Sequence, residues 1–143
     1  MEPVLVGLDY GQKRIGVAVT TALGTVHPRP RIERTEIGAD LAAIGAVVDD
    51  VEAAAIVIGL PHHMDGAESD MEREVRGFAR KLRTTVGVDI IGVDERLTSA
   101  AADSALRAQR LDGRQRKLRK DSAAACLLLN DYLATGKRGE RIE

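Results

Sequence analysis

Four continuous apolar runs, at residues 4–8, 15–19, 54–60 and 88–93, constrain the fold of this chain more than any other feature. A run that is apolar at every position, rather than at alternate ones, suits a strand covered on both faces. The first two runs are separated by Asp9-Tyr10-Gly11-Gln12-Lys13-Arg14, which reads as a tight glycine turn between paired strands. The third run is closed by Pro61, and the fourth leads into Asp94-Glu95-Arg96. A weaker candidate lies around residues 25–35, where Pro28 and Pro30 restrict it to a sheet edge.

Helical periodicity fills the gaps. Residues 38–52 place Leu41, Ile44, Val47, Val48 and Val51 near a 3.6-residue repeat. Residues 69–86 open on Ser69-Asp70-Met71-Glu72, a capping-box pattern, and put Met71, Val75, Phe78, Ala79 and Leu82 on one face. Thr98 or Ser99 can cap a helix reaching about Leu111, and a final helix is expected from near Leu118 to Leu133, stopped by Gly136. The order β-β-β-α-β-α-β-α-α predicts an α/β fold. Its five-stranded mixed sheet is a three-stranded antiparallel meander plus two parallel strands, flanked by helices. One domain over residues 1–136 is expected, followed by a short, charged, frayed tail at 137–143.

Asp9 stands out against this frame. A carboxylate at the end of a buried strand is costly unless it is paired or bound to metal. Glu95, preceded by Asp94, follows the last apolar run, and Asp121 lies early in the final helix. Strand ends on one edge of a sheet converge on a crevice, and a helix packed across the sheet can add a third acid. Mg²⁺ or Mn²⁺ takes such oxygen ligands, and paired ions of this kind serve phosphodiester hydrolysis. Each acid also has a plainer reading: Asp9 as a turn former, Asp94 and Glu95 as solvated loop acids, Asp121 as a helix cap.

The formal net charge is −1, so nucleic-acid binding would need a local basic patch. One exists between Arg107 and Lys120, where Arg107, Arg110, Arg114, Arg116, Lys117, Arg119 and Lys120 face a single acid, Asp112. The bland account is a solvated loop. Cations leading into a helix N-terminus oppose its dipole, however, and phosphate would offset that. Lys13 and Arg14 in the first turn, and Arg96 beside Glu95, can add phosphate contacts. Tyr10, Phe78 and Tyr132 are the only aromatic residues, too few for extended base stacking. A lone cysteine, Cys126, excludes an internal disulfide and a Cys-cluster zinc site. The chain has neither an apolar run of about 18 residues nor a signal-peptide pattern, so a cytoplasmic location without membrane contact is expected.

Four motifs, in order and over almost the whole chain, resemble the YqgF/RuvX family. They are Gly7-Leu8-Asp9-Tyr10-Gly11-Gln12-Lys13-Arg14-Ile15-Gly16-Val17-Ala18; Ile58-Gly59-Leu60-Pro61 with Met64-Asp65-Gly66; Val93-Asp94-Glu95-Arg96-Leu97-Thr98-Ser99; and Lys120-Asp121-Ser122-Ala123-Ala124. The resemblance implies an RNase H-like fold and a metal-dependent nuclease linked to maturation of the 16S rRNA 5′ end and to Holliday-junction resolution. Asp9, Glu95 and Asp121 would be its metal-binding acids. His62-His63 departs from the family pattern, and these residues read as solvated or as substrate contacts more readily than as metal ligands. Two other functions stay open. Asp-x-Gly before a hairpin also resembles the phosphate loop of actin-like ATPases, and the fold could serve a non-catalytic ribosome-assembly factor. Junction resolution would call for a two-fold homodimer.

Overall fold

A computed structural model describes residues 2–61, 69–94, 117, 118 and 120–143. Six strands form one mixed sheet: β1 (Leu5–Asp9), β2 (Arg14–Thr20), β3 (Val26–Glu33), β4 (Ala55–Leu60), β5 (Asp89–Asp94) and β6 (Glu140–Ile142). Their spatial order is β3-β2-β1-β4-β5-β6. The meander β1-β2-β3 is antiparallel, and β4 and β5 run parallel to β1, as the apolar runs predict. Among the described residues three helices cover the sheet: α1 (Ile37–Val51), α2 (Asp70–Val86) and α3 (Ala123–Ala134).

The continuous apolar runs have the predicted cause. Side chains alternate across the strands, and each face meets a different helical layer. Val6, Leu8, Ile15, Val17, Ile56 and Ile58 pack with Ile44 and Val48 of α1 and with Val75, Phe78 and Leu82 of α2. On the other face Leu5, Ala18, Val57 and Val93 pack with Ala125, Cys126, Leu129 and Tyr132 of α3. Gly7 lets α3 lie close, since a Cβ there would stand 2.5 Å from Leu129 Cγ. Such contact is shorter than carbon atoms tolerate.

The helix ends follow the sequence signals in part. Ser69 caps α2, its hydroxyl accepting from the Glu72 N–H at 2.9 Å. Met71 does not join the buried face as its spacing suggested. It is exposed, and Glu72 is buried in its place, held by Arg76 Nε at 2.8 Å. Gly136, at φ 83°, ends α3, and the Lys137 N–H returns to the Tyr132 carbonyl at 2.8 Å.

The largest departure is at the C-terminus. The expected frayed tail is instead the sixth strand, pairing Ile90 with Ile142 and Gly92 with Glu140. Ile142 is buried against the α1–α2 layer. Gly92 leaves room for it, because a Cβ on Gly92 would stand 3.2 Å from Ile142 Cδ1. Arg76 bridges Glu72 and Glu140, tying α2 to this strand. One apolar residue among charges gives too short an alternation to read as a strand from sequence. The expected helix over 98–111 lies outside the described residues.

Candidate active site

The site is built where β1 ends beside the entry to α3. Asp9 pairs in register with Gly16 on β2. A Cβ on Gly16 would lie 3.4 Å from Asp9 Cβ, 3.6 Å from the Asp121 carbonyl oxygen and 3.6 Å from Ser122 Cα. Gly16 is therefore where the backbone at Asp121 comes against Asp9, two of the three acids singled out in the sequence.

The β2–β3 pairing opens at this point. Ile15 faces Ile32 but Val17 faces Arg29, so Pro30 and Arg31 stand against Gly16 alone. Such a bulge bends the strand and re-aims a side chain. Pro30 has no N–H to lose from the ladder. Ser122 completes the opened ladder: its buried hydroxyl accepts from the Val17 N–H at 3.1 Å and donates to the Arg29 carbonyl at 2.8 Å. Lys117, Leu118, Lys120 and Asp121 are helical, whereas Ser122 departs from helical geometry at φ −126°, ψ 24° before α3 resumes. The single helix expected from Leu118 is thus broken at Ser122, where the side chain is engaged by the sheet. That engagement fixes Asp121 beside Gly16.

The bulge turns Arg31 toward the acids. Its Nη1 lies 3.6 Å from Asp121 Oδ1, and its Nε lies 2.7 Å from Glu33 Oε1. Pro30, Arg31, Glu33, Lys117, Leu118 and Asp121 line a cleft of about 390 Å³ between β3 and the helical turn before Ser122.

Asp9 is in a different electrostatic state. Burial pushes its carboxyl up from the usual value, and no charge among the described residues offsets that. The turn that follows it is held from the other side of the sheet. Arg34 donates from Nη1 to the Gly11 carbonyl at 3.2 Å and from Nε to Asp40 at 3.0 Å. Asp40 is buried and also accepts from the Thr35 N–H. The Arg34 guanidinium lies 4.9 Å above the Tyr10 ring and 5.3 Å above that of Phe78. Tyr10 donates its hydroxyl to Glu74 at 2.6 Å. That bond, with a second from Gln12, holds the Glu74 carboxyl below its ordinary range.

A family model described as RuvX, Holliday junction resolvase, matches residues 3–135. The chain belongs to the RuvX family. Among curated relatives, a protein of Picosynechococcus described as "Putative pre-16S rRNA nuclease" is 42% identical over 94% of this chain and 95% of its own length. One of Anaeromyxobacter dehalogenans with the same description is 41% identical over 89% of this chain and 93% of its own. Among solved structures, T. thermophilus RuvC in complex with a Holliday junction substrate superposes with a TM-score of 0.61 at 14% identity, covering 98% of this chain and 99% of that one. The yeast mitochondrial Holliday junction resolvase Ydc2 gives 0.50 at 9% identity, covering 90% and 77%. The RuvX chain therefore has the RNase H-like fold, extended by β6 beyond the five strands expected.

Of the residues singled out in the sequence, this RuvX structure sets Asp9 and the backbone of Asp121 against Gly16. Lys117 lines the adjoining cleft. Lys13, Arg14 and Lys120 are exposed. Asp94 ends β5, in register with Leu60. Glu95, Arg96, Arg114, Arg116 and Arg119 lie outside the described residues, as do His62, His63 and Asp65. Among the described residues no three His, Cys, Asp or Glu side chains form a metal cluster. Sequence reading missed Arg31 and the bridging role of Ser122. The signal for both was Pro30, which marks where the ladder cannot continue unbroken.

Proposed function

We propose that this RuvX chain is a cytoplasmic, metal-dependent nuclease that hydrolyses phosphodiester bonds, with precursor 16S rRNA as its substrate. Asp9, Glu95 and Asp121 are its metal-binding and catalytic acids. One observation carries the reading: Asp9 is partly buried without a neutralising charge among the described residues, and the Asp121 backbone comes against the same residue, Gly16. A fold tolerates such an acid when a cation completes it. Asp9 and Asp121 are oxygen donors of the kind Mg²⁺ or Mn²⁺ takes, so the residue types fit the ion. A bound divalent ion would supply charge stabilisation at the phosphate and activation of the attacking water. The chain's own residues do the rest. Ser122 and the Arg34 network hold the two acids in place, and Lys13, Arg14, Arg96, Arg114, Arg116, Lys117, Arg119 and Lys120 bind the phosphate backbone.

The relatives described as pre-16S rRNA nucleases share about 40% identity over nearly the full chain, which favours RNA. The family description favours a second substrate, the four-way DNA junction, and that reaction would use a homodimer to cut two strands symmetrically. Family membership supports hydrolysis over the actin-like nucleotide-binding alternative and over a non-catalytic role. The test is cleavage of precursor 16S rRNA fragments, unrelated single-stranded RNA and four-way junctions with Mg²⁺ or Mn²⁺. Parent protein should cut the precursor, and Asp9→Asn and Asp121→Asn should each lose at least about a hundredfold in rate, as groups that stabilise a transition-state charge do. Variants that cut like the parent would end the carboxylate–metal mechanism. Preference for the junction would replace the substrate.

A further inference from the structure

Arg31 is the only cation among the described residues that the structure ion-pairs with a proposed metal-binding acid. It also has a second acid, Glu33, on its own strand, 2.7 Å away. The Arg31 side chain is about one-third exposed and that of Asp121 one-fifth, so the pair sits at the mouth of the 390 Å³ cleft rather than beneath it. Across that cleft stands Lys117.

We propose that Arg31 is a phosphate-binding residue that Asp121 holds in reserve, and that metal uptake by Asp121 releases it to the nucleic-acid backbone. This inference rests on the metal–carboxylate reading above. The chemistry is a competition for one carboxylate. A divalent ion on Asp121 outbids a guanidinium at 3.6 Å, which is a loose, solvent-screened pair. Glu33 keeps the released side chain at the cleft rim, with Nε 2.7 Å from its Oε1. The remaining N–H donors then form a planar fork suited to a phosphate. Lys117 supplies a second charge from the opposite wall. A chain without metal would thus have weaker phosphate binding beside its acids than a loaded one, and the groove would favour substrate only when it can act on it.

Two readouts independent of cleavage test this. The first is Mn²⁺ uptake without nucleic acid, followed by the EPR signal of the free ion. Arg31→Gln should bind Mn²⁺ about two- to fivefold more tightly than the parent, because the competing cation is gone. The second is the salt dependence of binding to a labelled single-stranded RNA, with Ca²⁺ as a non-turnover ion and without divalent ions. One phosphate contact adds about 0.7 to the log–log slope for a single strand. Adding Ca²⁺ should change the slope by about that much more in the parent than in Arg31→Gln, and Arg31→Lys should restore most of the difference. Equal slope losses with and without Ca²⁺ would make Arg31 a constitutive contact and overturn the release. Unchanged Mn²⁺ affinity would overturn the competition. If the parent binds Mn²⁺ and cuts RNA yet both Arg31 results fail, this inference alone falls. If the parent binds no Mn²⁺, the metal reading falls and takes this one with it.

Discussion

Replacing Ser122 by alanine removes one oxygen atom and should cost about as much stability as truncating a core aliphatic side chain. Ser122 is 1% exposed, and its hydroxyl joins two backbone groups beside the β2–β3 bulge, the Val17 N–H at 3.1 Å and the Arg29 carbonyl at 2.8 Å. Alanine leaves both without that partner in a packed interior. Each orphaned buried group costs roughly 1–3 kcal/mol, and partial relaxation of the bulge should bring the total to about 2–3 kcal/mol. Unfolding entropy scales with length, so for a chain of this size 1 kcal/mol lowers Tm by about 3 °C and the expected shift is about 6–9 °C. Urea titration should show a lower midpoint with an unchanged slope, since the native surface is the same. Ser122→Gly is the informative companion: it opens room for a water molecule in place of the hydroxyl, and should recover part of the loss despite glycine's backbone entropy. Ser122→Ala should also weaken Mn²⁺ uptake, because Asp121 is adjacent and loses its anchor. A Tm within about 1.5 °C of the parent, corresponding to roughly 0.5 kcal/mol, would refute the claim that this hydroxyl completes the ladder.

Asp9→Asn should stabilise the metal-free protein at neutral pH. Burial raises the folded-state carboxyl above the ordinary carboxylate range, so its contribution is fully favourable below that range and is lost as pH rises through the folded value. Neutral asparagine avoids the loss, so Tm should rise at pH 7.5 and rise less at pH 3.5. Differential scanning fluorimetry at both pH values decides it, and a lower Tm for Asp9→Asn at pH 7.5 would contradict the account. Ile142→Ala should cost about 2–4 kcal/mol in urea denaturation if β6 is an integral strand, whereas Leu23→Ala, at a site 87% exposed, should change stability by less than about 0.5 kcal/mol. Equal effects at the two sites would restore the frayed tail that the sequence suggests.

The sheet was legible because its signal is repeated. Val6, Leu8, Ile56 and Ile58 serve one helical layer while Leu5, Ala55 and Val57 serve the other, so neither face could be polar and the runs had to be continuous. The acid at the end of β1 was legible for the opposite reason: Asp9 contradicts its surroundings, and a local contradiction of that kind marks function more often than fold. β6 escaped because its stability comes from partners distant in sequence, Gly92 as a recess and Arg76 as a clamp, rather than from its own three residues.

Arg31 and Ser122 escaped for a related reason that bears on how this site works. Neither is unusual in its own segment; each acquires its role from one extra residue in β3. The bulge opposite Gly16 does two things at once. It shifts the register so that Val17 faces Arg29, where the Ser122 hydroxyl bonds to both, and it brings Arg31 to Asp121. The acid and the cation that pairs with it are therefore set by the same irregularity, and a change that regularised the β2–β3 ladder would be expected to misplace both. The site's geometry depends on a defect in the sheet that its sequence signals only through Pro30, while the sheet's stability depends on the regular strands around it.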